Sequence, residues 1–126
     1  MGASQHISKD AAAPATLTKA VVRAAGFLGL SQTAMAEILG VSSATASRLA
    51  GGRYVLQPSR KREWEFALLF LRLFRSLQAV VGNDVDARTW LRNPNLALDA
   101  VPVDLIRNAE GLVRVLHYLD ASRGRL

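Results

Sequence analysis

Residues 32–49 carry the side chains whose types and spacing most clearly indicate a chemical task. Ala36 is small, and Gly40 follows it four residues later. The apolar positions after this glycine are Val41, Ala46 and Leu49. Two short helices that cross steeply can pack closely only where the facing residues are small or apolar, and glycine adopts a positive φ in the turn without strain. The pattern therefore predicts a helix-turn-helix, although ordinary helical hairpins also contain turns of this kind.

The outward positions of the second predicted helix carry short hydroxyl side chains and one arginine. They are Ser43, Thr45, Ser47 and Arg48, with Ala44 among them. A helix of this composition fits deep in a DNA major groove, where a hydroxyl can reach a base or a phosphate and an arginine can reach a guanine edge or a phosphate. The four polar residues are therefore candidate DNA contacts.

The excess positive charge lies in the same part of the chain. The formal net charge is +6, from 16 Lys+Arg and 10 Asp+Glu. Residues 1–62 hold eight of the basic residues and two of the acids, whereas residues 63–126, the second half, hold eight of each. Five cations lie on or after the second helix: Arg48, Arg53, Arg60, Lys61 and Arg62. Cations so placed can contact the phosphates that flank a groove, which adds Arg53 to the candidate DNA contacts. The alternative for residues 60–62 is a solvated charge run.

The second half shows no pattern of catalytic residues. His117 lies beside an apolar stripe, where a structural histidine is far more common than a base or a ligand. Asp84 and Asp86 suit a helix cap and a first-turn charge better than a catalytic pair. The sequence contains no cysteine, which excludes disulfides and thiolate metal sites. We expect no enzyme activity, no cofactor and no metal.

Helical periodicity without strand alternation predicts an all-α protein. Residues 1–15 are small and polar and contain Pro14, which predicts a flexible N-terminal arm. The remaining divisions are a helix-turn-helix domain over residues 16–62, a connecting and dimerisation helix over residues 63–82, and a small helical domain over residues 83–126. Among the helix ends, Ser31, Asp84 and Asn108 are predicted N-terminal caps.

The long helical segment over residues 60–81 is apolar almost all round, so it is either the central helix of the chain or a subunit interface.

The longest wholly apolar run, residues 66–71, has six residues, far fewer than the ~20 that a membrane span needs. The N-terminus lacks a basic start followed by an apolar core, so no secretory signal is predicted. We therefore expect a cytoplasmic protein with no membrane partner.

The helix-turn-helix segment resembles that of the Xre/Cro repressor-like family over about residues 16–62. In that family the second helix reads the major groove. The resemblance implies that Ser43, Thr45, Ser47 and Arg48 form the DNA face, and that Gln32 and Thr33 contact the DNA backbone from a helix N-terminus.

The second half carries a series of short motifs in a distinctive order. They are Gly82-Asn-Asp, Ala87-Arg88-x-Trp90-Leu91, Asn93-Pro94-Asn95-x-Ala97-Leu98, Pro102-x-Asp104-Leu105, Glu110-Gly111-Leu112 and Tyr118-Leu119-Asp120. This order, over about residues 76–126, resembles the toxin-binding domain of the Xre/MbcA/ParS antitoxin family. One departure lies at residues 98–102, where the family has a glycine-containing turn before the proline.

The second resemblance implies a protein partner. Antitoxins of this family bind RES-type toxins or related ADP-ribosyltransferase-like toxins, which consume NAD or modify a host target, and they cover the entrance of the toxin's active site. The toxin-binding residues that the resemblance implies are Arg88, Asn93, Asn95, Leu98, Arg123, Gly124, Arg125 and Leu126. A basic tail suits a pocket that binds the phosphates of a dinucleotide. The alternative for the tail arginines is a frayed, solvated C-terminus.

Together these observations predict a bacterial type II antitoxin. Its architecture would be an Xre/Cro-like helix-turn-helix bundle joined by a long apolar helix to a small helical toxin-binding domain. We expect it to block a cognate RES-type toxin, to repress its own operon by binding operator DNA, and to form a homodimer, which two-fold operators normally require. The alternative is a stand-alone transcriptional repressor whose second half serves dimerisation or ligand sensing.

Overall fold

The computed structural model describes the backbone of residues 2–124 and the side chains of residues 13–124. This part of the chain is all-α, as predicted, with no strand. Its helices are α1 (Gly2–Phe27), α2 (Gln32–Leu39), α3 (Ser43–Ala50), α4 (Lys61–Val81), α5 (Asp84–Arg92), α6 (Pro102–Leu105) and α7 (Ala109–Arg123). None of these described helices is long and apolar enough to cross a membrane.

Helix α1 begins at Gly2 and continues through Pro14. This helix includes residues 2–15, which the sequence analysis predicts as a flexible arm. A proline inside a helix removes one intrahelical hydrogen bond, but residues 11–13 and 15 are alanines, which have the highest helix propensity of all residues.

Helix α4 is the central helix of the chain. It packs chiefly against α7 and also contacts α1, α2 and α5. Phe70, Leu73 and Leu77 are fully buried along it. Because neighbouring helices cover several of its sides, its almost continuous apolar surface marks the central helix rather than requiring a second subunit. Leu68 is nevertheless 48% exposed.

One hydrophobic core runs through both halves, with buried members that extend from Leu17 in α1 to Leu119 in α7. The loop between α3 and α4 is fixed to this core through Thr18, which is itself buried. The N–H of Leu56 donates to Thr18 Oγ1 at 3.0 Å, and the same hydroxyl donates to the carbonyl of Pro14 at 2.6 Å. Shared packing therefore joins the helix-turn-helix to the second half.

The helix ends confirm two of the three predicted caps. The side-chain oxygens of Ser31 and Asn108 accept backbone hydrogen bonds at the starts of α2 and α7. Helix α5 is capped by Asn83 rather than by Asp84. Asn83 has the extended backbone of a cap residue and its side chain accepts the N–H of Asp86, whereas the Asp84 carboxylate accepts a hydrogen bond from Gln78 at 2.6 Å.

Helix α7 approaches α6 closely at a glycine. A Cβ atom placed on Gly111 would lie 1.8 Å from the carbonyl oxygen of Leu105. No side chain fits in that space. This contact gives a physical reason for the glycine in the Glu110-Gly111-Leu112 motif.

Candidate functional site

Helices α2 and α3 form the predicted helix-turn-helix. Gly40 has a left-handed conformation, with φ 71°, at the end of α2. The N–H of the following Val41 donates to the carbonyl of Ala36 at 2.9 Å, which closes the helix end. Ser42 then caps α3 by accepting the N–H of Thr45 at 3.1 Å. Because glycine adopts this φ without steric strain, the chain can turn between the two helices within three residues, 40–42.

The outward face of α3 carries a chain of polar contacts. Ser42 Oγ donates to Thr45 Oγ1 at 3.0 Å, and Arg48 Nη2 donates to the same oxygen at 3.1 Å. Ser43 and Arg48 are exposed, and Ser47 is half-buried. The bond to Thr45 uses one of the five N–H donors of the guanidinium and limits its motion. Arg48 is thus held on the α3 surface with further donors for a phosphate or a guanine edge.

The remaining predicted DNA contacts lie at the ends of the two helices. Gln32 and Thr33 are exposed in the first turn of α2. Arg53 is exposed just after α3. Its backbone N–H donates to the backbone carbonyl of Arg48 at 2.8 Å, and Gly52 between them has a left-handed conformation. The structure therefore brings the predicted residues together on one helix-turn-helix unit.

Two further arginines near the start of α4 lie over aromatic rings. The guanidinium carbon of Arg60 is 5.1 Å from the ring centroid of Tyr54, and that of Arg62 is 5.7 Å from that of Phe66. The Tyr54 hydroxyl donates to Glu63, and burial together with this carboxylate raises the pKa of Tyr54. Tyr54 is therefore a neutral donor at physiological pH. These contacts orient the exposed Arg60 and Arg62 on the helix-turn-helix half.

Two arginines of α5 bind the end of α1. Arg88 Nη1 donates to the carbonyl of Phe27 at 2.7 Å, and Arg92 Nη2 donates to the carbonyl of Gly29 at 2.7 Å. Cations are favoured there because the last carbonyls of a helix lack intrahelical partners and carry the negative end of its dipole. Arg88, a predicted toxin contact, thus joins the two halves in this structure. The sequence analysis missed Arg92, although its i+4 spacing from Arg88 places both on one helix face.

The loop between α5 and α6 is held by its own hydrogen bonds. The N–H of Asn95 donates to the carbonyl of Ala100 at 2.9 Å, and Asn95 Oδ1 accepts the N–H of Leu98 at 3.0 Å. The Leu98 side chain is 3% exposed, and its carbonyl accepts a hydrogen bond from Arg114 at 2.7 Å. Asn95 and Leu98, both predicted toxin contacts, therefore hold the loop, and Leu96 is a large apolar residue that the loop presents to solvent, at 100% exposure.

Two other residues of this loop are Asp99, which lies in the turn that departs from the family pattern, and Asn93. Asp99 has a positive φ of 53° in the turn before Pro102. Aspartate is among the few residues besides glycine that tolerate this region, so the turn forms here without glycine. Asn93, another predicted toxin contact, is exposed and donates to the carbonyl of Thr89 at 2.6 Å.

The last turn of α7 is bonded to α4. The Asp120 carboxylate accepts hydrogen bonds from Ser76 Oγ at 2.7 Å and from Arg72 at 2.6 Å. Arg123 Nη1 donates to Ser76 Oγ at 3.0 Å. The hydrogen bond from Ser76 and the nearby charges of Arg72 and Arg123 hold the pKa of Asp120 below its ordinary value. Arg123 is therefore the last residue of α7 and is bonded to α4 in this structure.

The other predicted tail contacts lie beyond this turn. Gly124 is exposed, and Arg125 and Leu126 lie outside the described residues. The sequence analysis missed Arg72 and Ser76. Their signal was available, since they are polar residues four apart on a helix that is otherwise mostly apolar. In the part of the chain that the structure describes, no three His, Cys, Asp or Glu residues are grouped so that they could hold a metal ion.

The fold and these surfaces define an all-helical helix-turn-helix protein with a helical second half. Residues 9–72 match the model of the antitoxin Xre-like helix-turn-helix domain, and residues 76–125 match that of the antitoxin Xre/MbcA/ParS C-terminal toxin-binding domain. The chain belongs to the Xre/MbcA/ParS family of antitoxins, which confirms both resemblances seen in the sequence.

A solved structure supports the same assignment. The chain is similar to one in the crystal structure of the M. tuberculosis MbcT-MbcA toxin-antitoxin complex, with 26% sequence identity and a TM-score of 0.62. The similarity covers 87% of this chain and 96% of that chain. A comparison with curated protein sequences finds no match. The protein is thus an antitoxin of a toxin-antitoxin system that carries a helix-turn-helix.

Proposed function

We propose that this antitoxin neutralises a RES-type, NAD-consuming toxin by blocking its active site, and that it represses its own operon through α2 and α3. The main support for this proposal is the match of residues 76–125 to a toxin-binding domain. The similar chain of the M. tuberculosis toxin-antitoxin complex supports a protein partner of this kind. The protein acts by binding, not by catalysis.

The exposed face of α3 supports operator binding. It presents Ser43 and Arg48 to solvent, with Arg53 at the end of the helix. The exposed Arg60 and Arg62 add positive charge for phosphate contacts near the start of α4. We propose that two copies of the chain bind one operator, since a helix-turn-helix dimer reads two half-sites about one helical turn apart.

Residues 122–126 are the segment that we propose to enter the toxin pocket. A pocket that accepts NAD must accommodate two phosphates, and the arginine guanidinium binds phosphate with parallel hydrogen bonds. Residues 16–62 would then bind DNA, residues 83–126 would bind the toxin, and residues 63–82 would connect the two.

Co-expression with the toxin gene expected beside its own tests both parts of the proposal. The full antitoxin should restore bacterial growth and cellular NAD, whereas a chain that lacks residues 122–126 should not, although it should still bind DNA from its own promoter. Undiminished protection by the shortened chain would contradict insertion of the tail. Promoter binding by a full chain that protects from no toxin would favour the stand-alone repressor.

A further inference from the structure

The second half of the chain places an arginine beside the first turn of α2. Arg92, in the last turn of α5, donates from Nη2 to the carbonyl of Gly29 at 2.7 Å. Helix α2 begins at Gln32. Three steps of about 3.8 Å lead from Gly29 to Gln32, so their Cα atoms lie at most about 11 Å apart. The Arg92 guanidinium therefore lies close to the helix end from which Gln32 and Thr33 are predicted to contact the DNA backbone.

Hydrogen bonds to the backbone hold this guanidinium in place. Besides the bond to Gly29, Arg92 Nη1 donates to the carbonyl of Arg88 at 3.2 Å. A guanidinium has five N–H donors, and these two bonds leave three of them for another acceptor. Because the Arg92 side chain is exposed, an external ligand can reach them.

The surroundings of Arg92 contain little negative charge. Residues 11–36 include no aspartate or glutamate. Glu37, the one acid of α2, is paired with Arg107 at 3.5 Å. Arg92 takes part in none of the ion pairs found among the described side chains. A surface of one charge sign attracts ligands of the opposite sign, so this part of the molecule favours an anionic ligand.

We propose that Arg92 contacts the phosphate backbone of the operator, so that α5 of the second half forms part of the DNA interface. Arg88 is a positioning residue, because its carbonyl accepts from Arg92 and its own guanidinium donates to the end of α1. This inference rests on the proposed operator binding. It assigns one DNA contact to the half of the chain that matches a toxin-binding domain.

The spacing of phosphates along DNA suits this contact. Each strand presents a phosphate about every 3.4 Å along the helix axis. A strand that is bound at Gln32 and Thr33 therefore has neighbouring phosphates within the ~11 Å that separate Gln32 from Gly29. Phosphate oxygens accept parallel hydrogen bonds from a guanidinium. Because Arg92 is already held by backbone carbonyls, it loses less conformational entropy on binding than a free side chain would.

Titrations at several salt concentrations distinguish a phosphate contact from a structural role. The full chain and its Arg92→Gln variant are titrated with DNA from the protein's own promoter and with DNA of unrelated sequence, between about 50 and 200 mM salt. We expect Arg92→Gln to weaken both complexes about tenfold at low salt, since a phosphate contact carries no sequence information. The slope of log affinity against log salt should fall by about one for each bound copy.

Two further variants are the controls. Arg92→Lys keeps the positive charge without the forked donors, so it should keep the parental slope. Arg75→Gln removes the same charge from α4, where the side chain lines the groove between α1 and α4. It should bind DNA nearly as the parent does, because salt screens distant charges. All three substitutions change exposed side chains, so the fold should survive them.

Three outcomes overturn the inference and leave operator binding in place. A weaker Arg92→Gln complex with the parental slope would show that Arg92 only fixes the end of α1. An equal loss of slope in Arg75→Gln would show that net charge alone matters. Parental DNA binding by Arg92→Gln would exclude the contact, and weaker binding of the purified toxin by that variant would then assign Arg92 to the toxin surface. If the parent itself binds no promoter DNA, operator binding fails and the inference fails with it.

Discussion

Replacing Gly111 with alanine tests the close packing that places α7 against α6. The new Cβ would lie 1.8 Å from the carbonyl oxygen of Leu105 and 2.6 Å from its carbonyl carbon. An ordinary carbon–oxygen contact is about 3.3 Å or longer, so the two backbones must separate. Overpacking of this kind costs roughly 1–3 kcal/mol, and we expect a loss of about 3 kcal/mol because backbone atoms must move. For a chain of 126 residues, this loss lowers the melting temperature by about 10 °C.

The same substitution at Gly26 is the control. An alanine Cβ there would meet nothing within 4 Å. Because Gly26 lies within α1, alanine should stabilise the protein by up to ~1 kcal/mol and raise the melting temperature by about 3 °C. Calorimetric melts of the parent and the two variants at one scan rate make the comparison. A Gly111→Ala variant that melts with the parent would refute the packing argument.

Three further predictions concern single side chains. Thr18→Val keeps the shape of the side chain but leaves the Leu56 N–H buried without its acceptor, so urea unfolding should show a loss of about 1–3 kcal/mol; an unchanged midpoint would count against that hydrogen bond. Because the pKa of Asp120 is lowered from 3.8 in the folded protein, its carboxylate stabilises the fold above pH 3.8, and this contribution is lost as the pH falls through the folded value. The stability difference between the parent and Asp120→Asn should therefore be constant near neutral pH and shrink below pH 3.8, and a difference independent of pH would contradict the cause assigned to the shift. Arg48→Ala should weaken operator binding and, if Arg48 contacts a phosphate, reduce the slope of log affinity against log salt by about one; titrations identical to those of the parent would exclude the contact.

Much of the fold could be predicted because its signals are local. Ser31 and Asn108 cap helices through side chains that bond three residues along the chain, and Gly40 ends α2 by its own backbone conformation. The cap of α5 was predicted one residue too late, at Asp84, because asparagine and aspartate both cap helices well and the sequence alone does not decide which of two neighbours starts the helix. The start of α1 was missed because a single Pro14 suggested a break that the surrounding alanines override.

The residues of the candidate site also differ in whether their partners are near or far in the sequence. The candidate DNA contacts are close in sequence and share one short helix pair, so their spacing was enough to predict that they lie together. Arg88 and Arg123 were singled out by the family motifs, but their partners lie 61 and 47 residues away. Periodicity carries no information about such contacts, and the structural roles of these arginines emerge only from the packed helices.

Inhibition of an NAD-consuming toxin is the activity that we propose for this antitoxin. The most direct test is NAD consumption by the purified toxin while the antitoxin is titrated into the reaction. We expect complete inhibition at a fixed molar ratio, with residual activity when residues 122–126 are absent. Undiminished NAD consumption at saturating antitoxin, or a toxin that consumes no NAD at all, would contradict it.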